Sequence, residues 1–111
     1  MKRYCLALDL IDDATLINEY ERYHQSVWPE ILRSIHDAGI QSMEIYRAGN
    51  RMFMIMETAP DFSFAAKAEL DLSNPRVREW EQLMWKYQQA IPAALPGEKW
   101  TLMRKIFETR Q

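Results

Sequence analysis

The stretch IQSMEIYRAGNRMFMIMET, residues 40–58, decides the fold. Residues 40–47 and 51–58 are rich in Ile, Met, Phe and Tyr, and Gly49 and Asn50 lie between them. Glycine and asparagine adopt the positive φ angles that a tight hairpin turn needs. The stretch therefore predicts two antiparallel strands joined by a short turn.

Strands and helices are predicted on both sides of this hairpin. Residues 4–10 (YCLALDL) alternate large and small side chains, which is the periodicity of a strand. Capping side chains and prolines mark where the helices begin, and apolar residues at three- and four-residue spacing mark their length. The other predicted elements are a helix after Asp12 and Asp13, a break near residues 26–28, a helix over 29–37 that ends before Gly39, a helix over 60–70, a helix from Asn74 and Pro75 to about Ala90, and a last strand over 99–107.

The predicted order is strand, helix, strand, strand, helix, strand, which is the ferredoxin-like split βαβ sandwich of the α+β class. Helices cover one sheet face in that arrangement, yet the strands are apolar on both faces, since Met52 and Met54 alternate with Phe53 and Ile55. A bare apolar face would be an oversized exposed patch. We therefore expect one domain over residues 1–111 that forms a homodimer through its sheet faces, as a dimeric α+β barrel.

The composition argues against several classes of function. Fourteen basic and sixteen acidic residues give a formal charge of −2 without a block of like charge, so no nucleic-acid partner is expected. The first apolar run is short and contains Asp9, so no membrane span is expected. The single cysteine, Cys5, is expected to be a buried small hydrophobe in a cytoplasmic protein. No metal-binding spacing of His or Cys is present, so no metal is expected.

Tyr20 and His24 form the first candidate site. In a helix the two residues lie one turn apart on the same side, and Trp28 would follow a further turn along. Histidine exchanges protons near neutral pH, a nearby tyrosine hydroxyl can tune it, and tryptophan offers a flat apolar face. Together they would suit a small polar ligand. From spacing alone, the favoured interpretation is instead an amphipathic helix whose Tyr and His cap the edge of the core with satisfied polar tips.

The helix after Pro75 carries the second set of candidates. Trp80 falls on the apolar stripe of that helix, where packing in the core is the favoured interpretation. Glu81 and Trp85 form an i,i+4 pair displaced from the stripe. A large tryptophan off the core face can line a pocket or, equally, cover a contact between subunits.

The segment EYERYHQSVWPEILRSIHDAG, residues 19–39, resembles the L-rhamnose mutarotase family, in which a Tyr is followed four residues later by His and then by Trp-Pro-Glu. The likeness continues through EIYRAGNRMFMIME and NPRVREWEQLMWKYQQ to the closing KIFE. It implies a cofactor-free enzyme, built as a dimeric α+β barrel, that interconverts the α and β anomers of a 6-deoxy sugar.

The resemblance also implies roles for individual residues. His24 would be the proton donor, Tyr20 a substrate contact, and Trp80 the first residue of a tandem tryptophan pair. Two positions depart from the rhamnose enzymes, because Glu81 replaces the second tryptophan and Met43 replaces a tyrosine that contacts the sugar. The segments EWEQLMWKYQQ and PGEKW are more similar to a branch associated with L-fucose. The expected sugar is therefore L-rhamnose or L-fucose.

Mutarotation needs only proton transfers, because the pyranose opens when its ring oxygen gains a proton and its anomeric hydroxyl loses one. The expected mechanism has His24 as the acid near the ring oxygen and Tyr20 or Glu81 as its partner. A ring of Trp28, Trp80 or Trp85 is expected against the apolar face and methyl group of the sugar. Two other functions stay open. One is a cofactor-free monooxygenase or lactone isomerase of the same architecture, and the other is a sugar-binding dimer without chemistry.

Overall fold

The computed structural model describes residues 1–110. Within this range, every helix is too short or too polar to cross a membrane. In chain order the elements are β1 (Lys2–Leu10), α1 (Ala14–His24), α2 (Pro29–Asp37), β2 (Ile40–Ala48), β3 (Arg51–Thr58), α3 (Phe64–Ser73), α4 (Pro75–Trp85), β4 (Gln88–Gln89) and β5 (Thr101–Leu102).

The sheet is antiparallel, with strand order β2-β3-β1-β4 and with β5 also paired to β1. The predicted hairpin forms, and Gly49 alone supplies the positive φ, at 60°. Asn50 instead donates from its side-chain amide to the Leu10 carbonyl at 3.1 Å, which ties the turn to β1. The predicted α+β arrangement is confirmed.

Caps and prolines start the helices close to where the sequence predicts them. Asp13 caps α1 by accepting from the backbone amide three residues on, at 3.0 Å. Asn74 caps α4 in the same way, from two amides of its first turn. The predicted break at residues 26–28 is also present, since α1 ends at His24 and Pro29 opens α2 where no amide donor is needed.

The helices pack on one face of the sheet only. Leu8 and Met52 lie opposite each other on neighbouring strands and are buried against α1, α2 and α4. Phe53 and Ile55 point to the other face and stay half-buried. Cys5 lies on that face too and is half-buried rather than fully buried as predicted, because no helix of the described chain covers it.

The predicted end of the fourth helix is wrong. α4 ends at Trp85 and not at Ala90. The Tyr87 carbonyl accepts a hydrogen bond from the Ile11 amide at 2.9 Å, and β4 then pairs with the end of β1. The Tyr87 carbonyl and the residues of β4 thus form their backbone hydrogen bonds with Ile11 and the edge of β1, and the helix does not continue through them.

Two other predicted boundaries also differ. The third helix, predicted over 60–70, spans Phe64–Ser73, because the Ser63 side chain provides the cap. The last strand, predicted over 99–107, is limited to Thr101–Leu102. A strand needs a neighbour: the Met103 amide still donates to the Cys5 carbonyl at 2.7 Å, and residues 104–110 have no strand partner.

Candidate active site

A cavity of about 750 Å³ lies between the sheet and the helices. Its size falls within the range of roughly 300–1,000 Å³ that is typical of small-molecule sites. Apolar and aromatic side chains make up most of its wall, with a few polar groups among them. The wall includes His24, Met43, Met54, Trp80, Gln88 and Trp100.

The structure brings together part of the predicted site. The predicted residues on the cavity wall are His24, Met43, Trp80 and Glu81. The predicted residues that lie off the wall are Tyr20, Trp28 and Trp85.

The C-terminal end of α1 positions His24 and decides which ring nitrogen carries its proton. Nδ1 lies 2.9 Å from the carbonyl oxygen of Tyr20. A carbonyl oxygen can only accept, so Nδ1 is the donor, and Nε2 of the neutral ring keeps a free lone pair. Burial lowers the pKa of His24, and the bond to Tyr20 offsets only part of that shift. The imidazole is therefore neutral at pH 7 and can accept a proton at Nε2.

Tyr20 lies in the core behind His24. The centroids of the two rings are 4.4 Å apart, and Tyr20 is only 4% exposed. Its Oη accepts a hydrogen bond from Gln88 Nε2 at 3.1 Å. Burial, with a smaller contribution from the charge of Glu81, raises the pKa of Tyr20 to about 12, although the bond from Gln88 acts in the opposite direction. The phenol therefore stays protonated and supports the imidazole.

Trp80 forms an aromatic wall beside His24. It is 7% exposed, and its ring centroid lies 5.7 Å from that of the imidazole. Trp28 packs edge-to-face on Trp80, with centroids 5.0 Å apart. The Arg76 guanidinium lies 4.0 Å from the Trp28 ring centroid. Trp28 therefore supports Trp80 and does not itself face the cavity.

Lys99 connects Glu81 with Trp85. Its Nζ lies 3.0 Å from Glu81 Oε2 and 5.0 Å from the centroid of the Trp85 ring. The Glu81 side chain is 48% exposed, so it is a solvated, ion-paired carboxylate at the rim of the cavity. Trp85 is 44% exposed and lies off the cavity wall. Of the two candidate tryptophans on α4, Trp80 is the one that faces the cavity.

Gln88 and Trp100 line the cavity but were not among the predicted site residues. Gln88 falls inside the helix predicted to reach Ala90, and it comes to the cavity only because α4 ends early. Its side chain then shares a sheet face with Leu10, toward the helices. Trp100 falls inside the last predicted strand, and its only sequence signal is its place in PGEKW.

The chemistry that these side chains offer is proton transfer in a partly apolar space. A neutral imidazole with a free Nε2 suits exchange of a proton with a hydroxyl group. The flat face of Trp80 suits the apolar side of a small ring. Among residues 1–110, no group of three or more His, Cys, Asp and Glu side chains is arranged to hold a metal ion.

Known proteins resemble this chain in sequence and in fold. The sequence model of the family described as L-rhamnose mutarotase matches residues 3–109. L-fucose mutarotase of Xanthomonas campestris pv. campestris is 49% identical over 96% of this chain and 87% of its own length. L-rhamnose mutarotase of Paraburkholderia phymatum is 26% identical over 82% of each chain. The crystal structure of L-rhamnose mutarotase from Formosa agariphila has the same fold, with a TM-score of 0.71 at 19% identity over 99% of this chain and 100% of that one.

Proposed function

Because this chain belongs to the L-rhamnose mutarotase family, we propose that it interconverts the α and β anomers of a 6-deoxy-L-hexose, with L-fucose as the preferred sugar. It is an isomerase that acts on carbohydrates. The preference is supported by 49% identity to an L-fucose mutarotase, against 26% to 30% to L-rhamnose mutarotases. It is also supported by Met43 and Glu81, the two departures from the rhamnose pattern, since both line the cavity.

The hydrogen bond between His24 Nδ1 and the Tyr20 carbonyl carries this proposal. It leaves Nε2 as the free nitrogen of a neutral imidazole on the wall of a cavity of sugar-binding size. A base of this kind is what ring opening needs at the anomeric hydroxyl.

The inferred proton path uses one nitrogen twice. Nε2 of His24 takes the anomeric hydroxyl proton as the bond from C1 to the ring oxygen breaks and the C1 aldehyde forms. The imidazolium then gives its proton to the ring oxygen, which is within reach because both oxygens were bonded to C1. Rotation about the C1–C2 bond presents the other aldehyde face, and the same transfers in reverse close the ring. The proton-donor role that the family resemblance implies for His24 thus corresponds to the second transfer, from the imidazolium to the ring oxygen.

The surrounding residues are proposed to bind and orient the sugar. Trp80 and Met43 would pack against its CH groups and its methyl group, and Glu81 would accept from a hydroxyl at the rim. Tyr20 and Trp28 lie behind the wall and are assigned positioning roles, for His24 and Trp80 respectively.

The exchange rate of the two anomers tests the function. Saturation-transfer NMR with purified protein is expected to show faster exchange for both L-fucose and L-rhamnose than in buffer. L-fucose should exchange roughly 3- to 10-fold faster than L-rhamnose, which is the effect of about one hydrogen bond between sugars that differ in configuration at C2 and C4. Absence of acceleration for either sugar refutes the function. Faster exchange of L-rhamnose overturns only the preference.

The uncovered sheet face supports a homodimer. Phe53 and Ile55 are half-buried on this face, and Tyr46 is 53% exposed. A second copy would offer an identical face, so a two-fold contact would bury these apolar side chains of both copies, with the charged residues of the same face, such as Glu44, around them. The cavity lies on the opposite side of the sheet, so each copy would keep a complete site of its own.

Replacing Ile55 with glutamate is expected to weaken this dimer roughly 10- to 50-fold, because a further charge would be buried among the apolar side chains of the contact. Sedimentation equilibrium measures the change. Leu72→Glu is the matched control, since it adds the same charge at a position that is 71% exposed on α3, and it should leave the dimer intact. A wild-type chain that sediments as a monomer contradicts the proposal.

A further inference from the structure

Gln88 lines the cavity and carries a buried polar atom that has no hydrogen-bond partner among residues 1–110. The residue is 8% exposed, and its side chain points from β4 toward the helices. One end of its amide is occupied, because Nε2 donates to Tyr20 Oη at 3.1 Å. The other end is not, because Oε1 is buried and has no hydrogen-bond partner among residues 1–110.

A buried carbonyl oxygen without a partner is rare in folded proteins, because nothing compensates for the water it has lost. A ligand that donates a hydrogen bond to this atom replaces the hydrogen bond to water that the oxygen has lost. If the amide is turned around, Oε1 accepts from the Tyr20 hydroxyl and Nε2 takes the unpartnered place. A sugar hydroxyl both donates and accepts, so it can pair with either end of the amide.

On the basis of the function proposed above, we propose that Gln88 binds one hydroxyl of the sugar away from the reacting C1 centre. The amide is uncharged, which suits a neutral polyol. Tyr20 joins this contact to the acid–base group, since its hydroxyl bonds to Gln88 while its ring packs against the imidazole of His24. Gln88 is thus a substrate-binding residue that selects sugars by the presence and configuration of one hydroxyl, and Tyr20 positions it.

Sugar analogues that each lack one hydroxyl test this contact. L-fucose and its 2-deoxy, 3-deoxy and 4-deoxy analogues are compared with wild type, Gln88→Leu and Gln88→Met. For wild type, we expect the analogue without the contacted hydroxyl to lose about 10-fold in kcat/KM relative to L-fucose. In both variants, kcat/KM for L-fucose itself should fall about 10-fold. Removing the contacted hydroxyl from the sugar should then lower kcat/KM by less than a further twofold. If the deoxy analogues lose as much kcat/KM relative to L-fucose in both variants as in wild type, the proposal is overturned, because Gln88 would then only pack against Tyr20.

Two further measurements keep this test independent of catalysis and of variant folding. Dissociation constants for the same sugars, from tryptophan fluorescence, should follow the same pattern even if the wild-type chain accelerates no exchange, which separates this inference from the proposed function. The side-chain amide NMR signal of Gln88 in the wild-type protein should shift with L-fucose and not with the analogue lacking the contacted hydroxyl. An amide signal that is insensitive to every sugar overturns the proposal.

Discussion

Anomer exchange is expected to slow by at least about 100-fold when His24 is replaced with asparagine, the lower end of what a positioned acid–base group contributes. The asparagine amide can still donate to the Tyr20 carbonyl, which His24 Nδ1 contacts at 2.9 Å. What it lacks is the basic Nε2 atom. Saturation-transfer NMR measures the exchange, and thermal unfolding shows that the variant is folded. Glutamine at this position, which has an amide but no titrating nitrogen, should be equally slow.

The pH profile connects this loss to the imidazole. Burial lowers the pKa of His24 below its ordinary value of 6.5, and the mechanism needs the neutral ring. Wild-type exchange should therefore be constant at neutral pH and fall as the pH drops through a midpoint below 6.5. The asparagine variant should lose this step. Tyr20, with a pKa of about 12, should add no second step near neutral pH. Wild-type activity that increases as the imidazole becomes protonated would contradict the assignment of Nε2 as the first base.

Replacing Trp80 with alanine is expected to lower the free energy of unfolding by about 3–5 kcal/mol, the usual cost of removing a buried tryptophan. Trp80 is 7% exposed, and its ring contacts those of Tyr23, His24 and Trp28. Urea denaturation measures the loss. Trp80→Phe should recover much of the stability, which allows the contribution of the indole to sugar binding to be measured in a folded protein.

Trp85→Ala is the matched control on the same helix. Trp85 is 44% exposed and its ring contacts Lys99, so we expect a loss below about 1 kcal/mol. Anomer exchange should change by less than about twofold, since Trp85 lies off the cavity wall. Similar stability losses for the two alanine variants would contradict the assignment of Trp80 to the core. A larger loss of sugar affinity in Trp85→Ala would contradict the assignment of Trp80 to the cavity.

Most of the fold follows from local signals in the sequence. The hairpin at Gly49, the cap at Asn74 and the proline at position 29 all act within a few residues, so they can be read without knowing what lies across the core. The end of α4 could not be predicted in this way. It depends on pairing with the edge of β1, a strand almost eighty residues earlier. Apolar residues continue at helical spacing as far as Ile91, so the sequence pattern does not show that the helix ends at Trp85.

The candidate site was less predictable than the fold, because it depends on the direction in which each side chain points. Trp80 and Trp85 are five residues apart, which is about 140° around a helix, and spacing alone does not say which of them meets the cavity. Tyr20 and His24 share one side of α1, yet the first is covered by the core and the second lines the cavity. Gln88 could not be predicted as a site residue, because its place on the cavity wall depends on where α4 ends.

The anchoring of His24 has a consequence for how this protein can evolve. Its hydrogen-bond partner is a main-chain oxygen, which every amino acid at position 20 provides, so replacing the Tyr20 side chain leaves this acceptor in place. Neighbouring residues such as Met43 and Glu81 can then vary without disturbing the reactive nitrogen. Lineages can thus acquire new sugar preferences by altering the rest of the cavity while the proton-transfer apparatus is inherited intact.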